Sequence, residues 1–130
     1  MRELMNDLGD SKLDNLVAGF RFPLMVKGVE LAAGQGVLKR GTVLAINTTT
    51  GQAHPVDSAG ANGTNEPDCI LVETMDTAGG AVKAVAYITG YFFRNGLFFG
   101  GSDTYEKHEK EMRRLGMHLT SSVDEKGADA

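Results

Sequence analysis

The sequence predicts a mainly β domain of the α+β class that carries one or two short helices. Glycine interrupts the chain every several residues between positions 34 and 99, a pattern typical of short strands joined by turns. A single later segment shows a clear helical spacing of apolar residues. The 130 residues are enough for one domain that buries roughly two thirds of its surface without disulfides.

The first 33 residues contain few of the residue combinations that favour turns. Asp10 or Ser11 is suited to cap a short helix that ends at Gly19. Its apolar residues would be Leu13, Leu16 and Val17. Residues 20–26 then alternate large apolar groups, which indicates an extended segment. Pro23 cannot donate a hydrogen bond inside a sheet, so this segment is expected at a sheet edge or laid on a partner.

Short apolar runs predict the strands of the central region. They are residues 42–47, 52–56, 69–73 and 82–89. Thr50 and Gly51 form the predicted turn between the first two strands, and residues 58–65 read as a polar loop. The dipeptide Asn95-Gly96 lies between the aromatic arms of residues 91–99 and predicts a β-hairpin.

The predicted helix follows this aromatic segment. Ser102 or Asp103 would cap it, Glu106 would complete a capping box with Asp103, and Gly116 would end it. The residues at helical spacing are Tyr105, His108, Met112 and Leu115. Residues 117–123 alternate as a last short strand, and residues 124–130 are expected to form a mobile acidic tail.

Composition argues against several classes of partner. A net charge of −4 and only scattered basic pairs are unlike a nucleic-acid-binding surface, which needs clustered Lys and Arg. Cys69 is the only cysteine and sits in an apolar run, which indicates a buried free thiol. The chain shows no apolar stretch of about 18 residues and no secretory signal, so we expect a soluble protein made in a reducing cytoplasm, with no membrane partner.

A search for chemistry predicts no catalytic, cofactor-binding or metal site. The phosphate-loop-like glycines lack the required lysine, because Gly41 is followed by Thr42. The three histidines lack the spacing of metal ligands and are better interpreted as structural. They are His54, His108 and His118. We therefore expect a protein that is not an enzyme and needs no cofactor.

The order of segments resembles the head decoration proteins of lambda-like tailed bacteriophages. The residues that carry the resemblance are LKRGTVL at 38–44, DCILVE at 68–73, AYITGYF at 86–92 and MRRLGMHL at 112–119. No single motif is specific, and the resemblance depends on their order and spacing over residues 34–123. It divides the chain into an N-terminal arm (1–33), a decoration domain (34–123) and an acidic tail (124–130).

The resemblance implies a compact β-tulip or β-clip-like domain with an extended N-terminal arm. It implies a homotrimer that binds the major capsid protein at local three-fold positions of the expanded capsid. There the trimer would brace the shell against DNA pressure. The protein would be made in the host cytoplasm and would end on the outer surface of the virion.

Two groups of residues are the expected contacts. The arm of this family adds a strand to the capsid protein, and the matching residues are Phe20, Arg21, Phe22, Pro23, Leu24, Met25 and Val26. The candidate trimer contacts are Tyr91, Phe93, Phe98 and Phe99. An equally good interpretation is that these aromatic residues fill the core of their own subunit, since Phe is commonly buried.

Two other classes of function stay open at this stage. A small β-barrel that binds a sugar or an anionic metabolite would use the loop at residues 58–68 to close over a pocket. An enzyme would need a centre built on His54 or on carboxylates such as Glu66 and Asp68. Stabilisation by one class of ligand would favour the first, and loss of turnover on alanine substitution would favour the second.

Overall fold

The computed structural model describes residues 16–19 and 22–121. This part of the chain contains nine strands, one α-helix and one 3₁₀ turn. The strands are β1 (Val17–Gly19), β2 (Met25–Leu31), β3 (Val37–Leu38), β4 (Val43–Ile46), β5 (Ala53–Pro55), β6 (Cys69–Leu71), β7 (Met75–Asp76), β8 (Val82–Phe93) and β9 (Met117–Thr120). The helix is α1 (Tyr105–Leu115), and the 3₁₀ turn is Arg94–Gly96. The predicted fold class, mainly β with little helix, is confirmed.

The 12-residue strand β8 organises the sheet. β1 and β2 both pair antiparallel with it, β1 at Phe92 and Tyr91 and β2 along the stretch from Thr89 to Val82. β6 pairs antiparallel with the middle of β8, and β9 pairs parallel with its last four residues. β8 therefore has strand neighbours on both edges over much of its length.

The sheet closes into a small five-stranded barrel. The pairings β8–β2, β2–β5, β5–β4, β4–β6 and β6–β8 complete the circle, and β3 and β7 form a separate two-stranded ribbon. β2 and β5 meet only at the pair Leu31–Ala53. Closure is therefore least complete along β2.

Side-chain alternation along the strands produces two buried apolar clusters. Cluster 1 takes Val43 and Ile70 from the barrel together with Met112 from α1, so it joins the barrel to the helix. Cluster 2 takes the alternate residues Leu44 and Leu71. All five of these side chains are fully buried, and the two clusters together form the core.

Most predicted elements of the central and C-terminal regions are present. β4, β5, β6, β9 and α1 fall within the predicted segments, and β8 begins as predicted at Val82 but continues past Thr89 to Phe93. Gly116 ends α1 in the left-handed conformation, with a φ of 105°, as predicted. Cys69 is a buried free thiol, also as predicted.

The predicted helix ending at Gly19 is wrong where the structure describes it, because Val17–Gly19 is strand β1. The Phe93 N–H donates to the Leu16 carbonyl oxygen at 2.7 Å, and Leu16 is buried in cluster 1. Pairing with β8 and burial of Leu16 thus override a weak local helix signal. Residues 1–15 of that prediction and the tail at 124–130 lie outside the described residues.

The predicted hairpin at Asn95-Gly96 is also wrong. Residues Arg94–Gly96 form a 3₁₀ turn, and the following Phe98 pairs with Thr42 instead of folding back onto β8. Arg94 makes a two-pronged ion pair with Glu109 of α1, at 2.9 and 2.7 Å. These distant partners redirect the chain away from the local turn preference.

The predicted capping box is absent from α1. The N-cap residue is Thr104, and its side chain makes no capping hydrogen bond. The Asp103 carboxylate binds Ser58 and His108 instead. Since those bonds occupy the carboxylate, Asp103 does not serve as the cap.

Candidate functional site

The predicted capsid-binding segment lies where the chain enters β2. Met25 and Val26 begin this strand, and each is 53% exposed. Phe20 and Arg21 lie outside the described residues. Residues 25–31 pair along their whole length with β8, so they belong to the same sheet as residues of the predicted decoration domain. The boundary at residue 34 stays a prediction, and it does not coincide with a gap in the sheet.

The residues before β2 are held against the domain itself. The Phe22 ring stacks on His118 of β9, with ring centres 4.0 Å apart, and meets Tyr91 edge-on at 5.3 Å. The Thr89 hydroxyl donates to the Pro23 carbonyl oxygen at 2.8 Å, and Leu24 packs on cluster 1. Phe22 and Leu24 therefore fix the entry to β2, which leaves Met25 and Val26 as the more accessible apolar side chains of this segment.

The four aromatic candidates for trimer contacts differ in burial. Phe93 is buried, and Phe99 packs on cluster 1 with its ring stacked on His108 at 5.6 Å. Tyr91 contacts Phe22, as described above. Phe98 is 44% exposed, with the Lys39 Nζ 5.4 Å from its ring centre. A trimer role stays a prediction for all four residues, and Phe98 is the most exposed of them.

A polar junction that includes the buried side chains of Asp103 and His108 joins the polar loop to the start of α1. The Ser58 N–H and Oγ–H donate to Asp103 at 2.6 and 2.7 Å, and the His108 Nε2 lies 2.7 Å from Oδ2. Burial opposes the charge of Asp103, but the hydrogen bonds from His108 and Ser58 outweigh it and lower the carboxyl pKa. The sequence did not reveal this junction, since Ser58 and Asp103 are 45 residues apart.

A further ion pair connects β2 to the residue directly before β6. The Lys27 Nζ is 2.6 Å from the Asp68 Oδ2, and both side chains are about one third exposed. Burial disfavours the Lys27 charge, but the Asp68 carboxylate more than offsets this and raises the Lys27 pKa. Burial also raises the pKa of the neighbouring Cys69 thiol, and Asp68 adds to the shift. Cys69 is therefore unsuited to act as a nucleophile.

The residues considered for ligand binding or catalysis do not converge on one site. His54 lines an open cleft with Asp57, whereas Glu66 and Asp68 line a different one. Within residues 16–19 and 22–121, no group of three His, Cys, Asp or Glu residues is placed to hold a metal ion. In the same part of the chain, no helix is long and apolar enough to cross a membrane.

These features define a compact β domain with one incompletely paired strand edge and open surface clefts. The family model described as Bacteriophage lambda head decoration protein D matches residues 12–119 of the chain. The chain therefore belongs to the head decoration protein family, whose members are structural proteins of the bacteriophage head, and it associates with the capsid of the virion. A search of curated proteins found no match.

Proposed function

We propose that this head decoration protein binds as a homotrimer at local three-fold positions of the expanded capsid and stabilises the shell against DNA pressure. Its partners are the major capsid protein and its own copies, on the outer surface of the virion. The role is structural rather than enzymatic. Family membership supports this proposal for the chain as a whole.

The observation that carries the capsid contact is the exposure of Met25 and Val26 at the start of β2. Full burial of an aliphatic side chain stabilises a complex by roughly 1.5–3 kcal/mol, so covering these half-exposed residues contributes about half as much each. A trimer presents three copies of the surface at once. Its weak contacts then act together, because binding of one copy raises the effective concentration of the others.

The trimer itself needs a surface on each subunit. Phe98 is the best supported of the four aromatic candidates, because it is exposed and lies beside Lys39. Mass measurement of the purified protein tests this part directly. A trimer that dissociates on Phe98→Asp substitution supports it, and a wild-type monomer contradicts it.

Point substitutions test the capsid contact better than truncation. Deletion of residues 1–31 would remove β1 and β2, both of which pair with β8. The double variant Met25→Asp, Val26→Asp keeps these strands, and Val37→Asp is a matched control at an apolar residue that is 58% exposed on β3.

Binding to expanded phage shells is measured by co-sedimentation. We expect the double variant to lose binding while the control retains it, with both folded by circular dichroism. Equal binding by the double variant and wild type would reject the contact at Met25 and Val26. Failure of the wild type to bind any expanded shell of its own phage would reject the function.

A further inference from the structure

One face of the β2–β8 pair is open beside the capsid contact proposed above. On this face Val26 opposes Tyr87, and Gly28 opposes Val85 two residues further along. Tyr87 is buried in cluster 1, whereas Val26 is 53% and Val85 is 48% exposed. Within residues 16–19 and 22–121, the apolar face of the sheet therefore continues beyond the part that cluster 1 covers.

Gly28 lies in the middle of this open face. It is the fourth residue of the seven-residue strand β2, and it is exposed. Glycine inside a strand destabilises the fold relative to alanine, because it loses more conformational freedom on folding and has no side chain to pack. A glycine at such a position is usually explained by its backbone conformation or by a close neighbour.

Neither explanation is found within the described residues. Gly28 does not have a positive φ, so other residues can adopt its conformation. A Cβ at position 28 would meet only the Ala84 carbonyl oxygen, at 4.0 Å, so there is room for a side chain. Gly90 of β8 is different, because it has a positive φ and a Cβ there would lie 2.6 Å from the Phe92 Cζ. The described packing thus explains glycine at position 90 but not at position 28.

We propose that a backbone segment of the capsid protein crosses the sheet face at Gly28 and packs apolar side chains on Val26 and Val85. Without a Cβ at position 28, the partner's backbone can approach the sheet more closely than it could over a residue with a side chain. The inference rests on the proposed function, because it extends the capsid contact from Met25 and Val26 to β8.

Continuity favours the capsid protein as the partner on this face. Val26 belongs both to the face and to the proposed capsid contact, so a single partner surface can cover the two together. The family match spans residues 12–119 and therefore includes the face. The best supported trimer contact, Phe98, lies on a different segment, where it pairs with Thr42. A trimer built through Phe98 leaves the open face available to the capsid.

The charged residues at the end of the face indicate which kind of segment fits. The next pair beyond Gly28 and Val85 is Glu30 opposite Lys83, and both residues are exposed. Opposite charges that face each other across two strands attract, so this end of the face carries no net charge. An apolar, uncharged partner segment therefore fits better than an acidic or a basic one.

Gly28→Val tests the inference because it should separate stability from binding. Valine favours strands and its side chain would enter open space, so the variant should be at least as stable to urea as the wild type. The same side chain should obstruct the partner's backbone and weaken co-sedimentation with expanded phage shells by about tenfold or more. Gly79→Val is the matched control, because Gly79 also has space for a Cβ but lies outside β2 and β8. It should bind as the wild type does.

Val85→Asp tests the part of the contact on β8. It should weaken shell binding by about tenfold or more, since the capsid contact would bury an unpaired charge. Val37→Asp on β3 is the control and should bind as the wild type does. Circular dichroism checks that both variants are folded.

Three results for Gly28→Val would overturn the inference. Shell binding equal to that of the wild type would show that no partner backbone lies over Gly28. A loss of stability to urea would show that the chain itself requires the glycine. A changed mass of the free protein, with no shells present, would assign the face to a second copy of the chain.

The same experiments separate this inference from the proposed function. Wild-type protein that binds no expanded shell of its own phage would reject the function. Binding that depends on Met25 and Val26 but not on Gly28 or Val85 would reject only the extension of the contact across the sheet face.

Discussion

The His108 Nε2 lies 2.7 Å from the Asp103 Oδ2, and both side chains are buried, at 4% and 3% exposure. An ionised carboxylate can only accept hydrogen bonds, so Nε2 carries the proton in this pair. Asp103 also accepts two hydrogen bonds from Ser58, and the Phe99 ring stacks against the His108 ring. The Asp103 carboxylate thus connects the polar loop to α1 by hydrogen bonds, and His108 connects both to the aromatic segment through its stack with Phe99.

Asp103→Asn should destabilise the protein by roughly 1–3 kcal/mol. The amide keeps the size of the side chain but cannot accept all three hydrogen bonds, and it leaves a buried polar group unsatisfied. Urea unfolding measures the change. Asp76→Asn is the matched control, because this exposed aspartate accepts a local turn bond from Ala78 that Asn can also accept. Equal losses in both variants would contradict a special role for Asp103.

The lowered pKa of Asp103 predicts how stability depends on pH. The folded pKa lies below the ordinary value of 3.8, so the unfolded chain binds a proton more readily than the folded one. The stabilisation is therefore complete above the ordinary value and is lost as the pH falls through the folded pKa. Glu109 also loses stabilising free energy as the pH falls, since its hydrogen bond with Arg94 lowers its pKa below 4.5.

Thermal unfolding across this acid range checks the pH prediction. The melting temperature of the wild type should fall with pH, and Asp103→Asn should flatten part of that fall. Glu109→Gln separates the contribution of Glu109. An unchanged slope in Asp103→Asn would show that Asp103 has the same pKa in the folded and unfolded chains.

Local sequence signals predicted the elements whose determinants are local. The alternation in β8 and the helical spacing that ends at Gly116 are both contained in short windows. The errors arose where a distant partner decides the conformation. Phe98 pairs with Thr42 and does not form the second strand of a hairpin at the Asn-Gly turn. Asp103 binds Ser58 and does not cap the helix.

In the candidate site, too, local features were predictable from the sequence and contacts with distant residues were not. The sequence predicted an extended, apolar segment at residues 20–26, and Met25 and Val26 are the first two residues of strand β2. The sequence could not show that Phe22 stacks on His118, because that contact joins segments 96 residues apart in the chain. Nor could it show that β2 and β5 pair only at Leu31 and Ala53, since pairing depends on how the barrel closes.

The stack of Phe22 on His118 should contribute a measurable coupling energy. Phe22→Ala and His118→Ala should each destabilise the protein, and a double-mutant cycle in urea should give a coupling of about 0.5–1.5 kcal/mol. His118→Phe preserves a ring and should remain closer to the wild type than His118→Ala. Additive losses in the cycle would show that the two rings do not stabilise each other.

Cys69 should be unreactive in the folded protein. Its side chain is fully buried, and burial raises the thiol pKa, so little of the reactive thiolate forms at neutral pH. A chromogenic thiol reagent should react with less than one tenth of the protein in water and with all of it in denaturant, as a rough expectation from burial. Rapid reaction of the native protein would contradict the burial of Cys69.

Gly116→Ala should destabilise the protein by about 1–2 kcal/mol, measured by urea unfolding. Gly116 has a φ of 105°, a conformation that costs a residue with a Cβ roughly that amount. The new Cβ would also lie 3.0 Å from the Thr89 Cγ2, so β8 would have to yield slightly. Gly79→Ala is the matched control, because Gly79 has no positive φ and a Cβ there would have no atom within 4 Å. If both substitutions have the same effect, the left-handed turn between α1 and β9 does not require glycine.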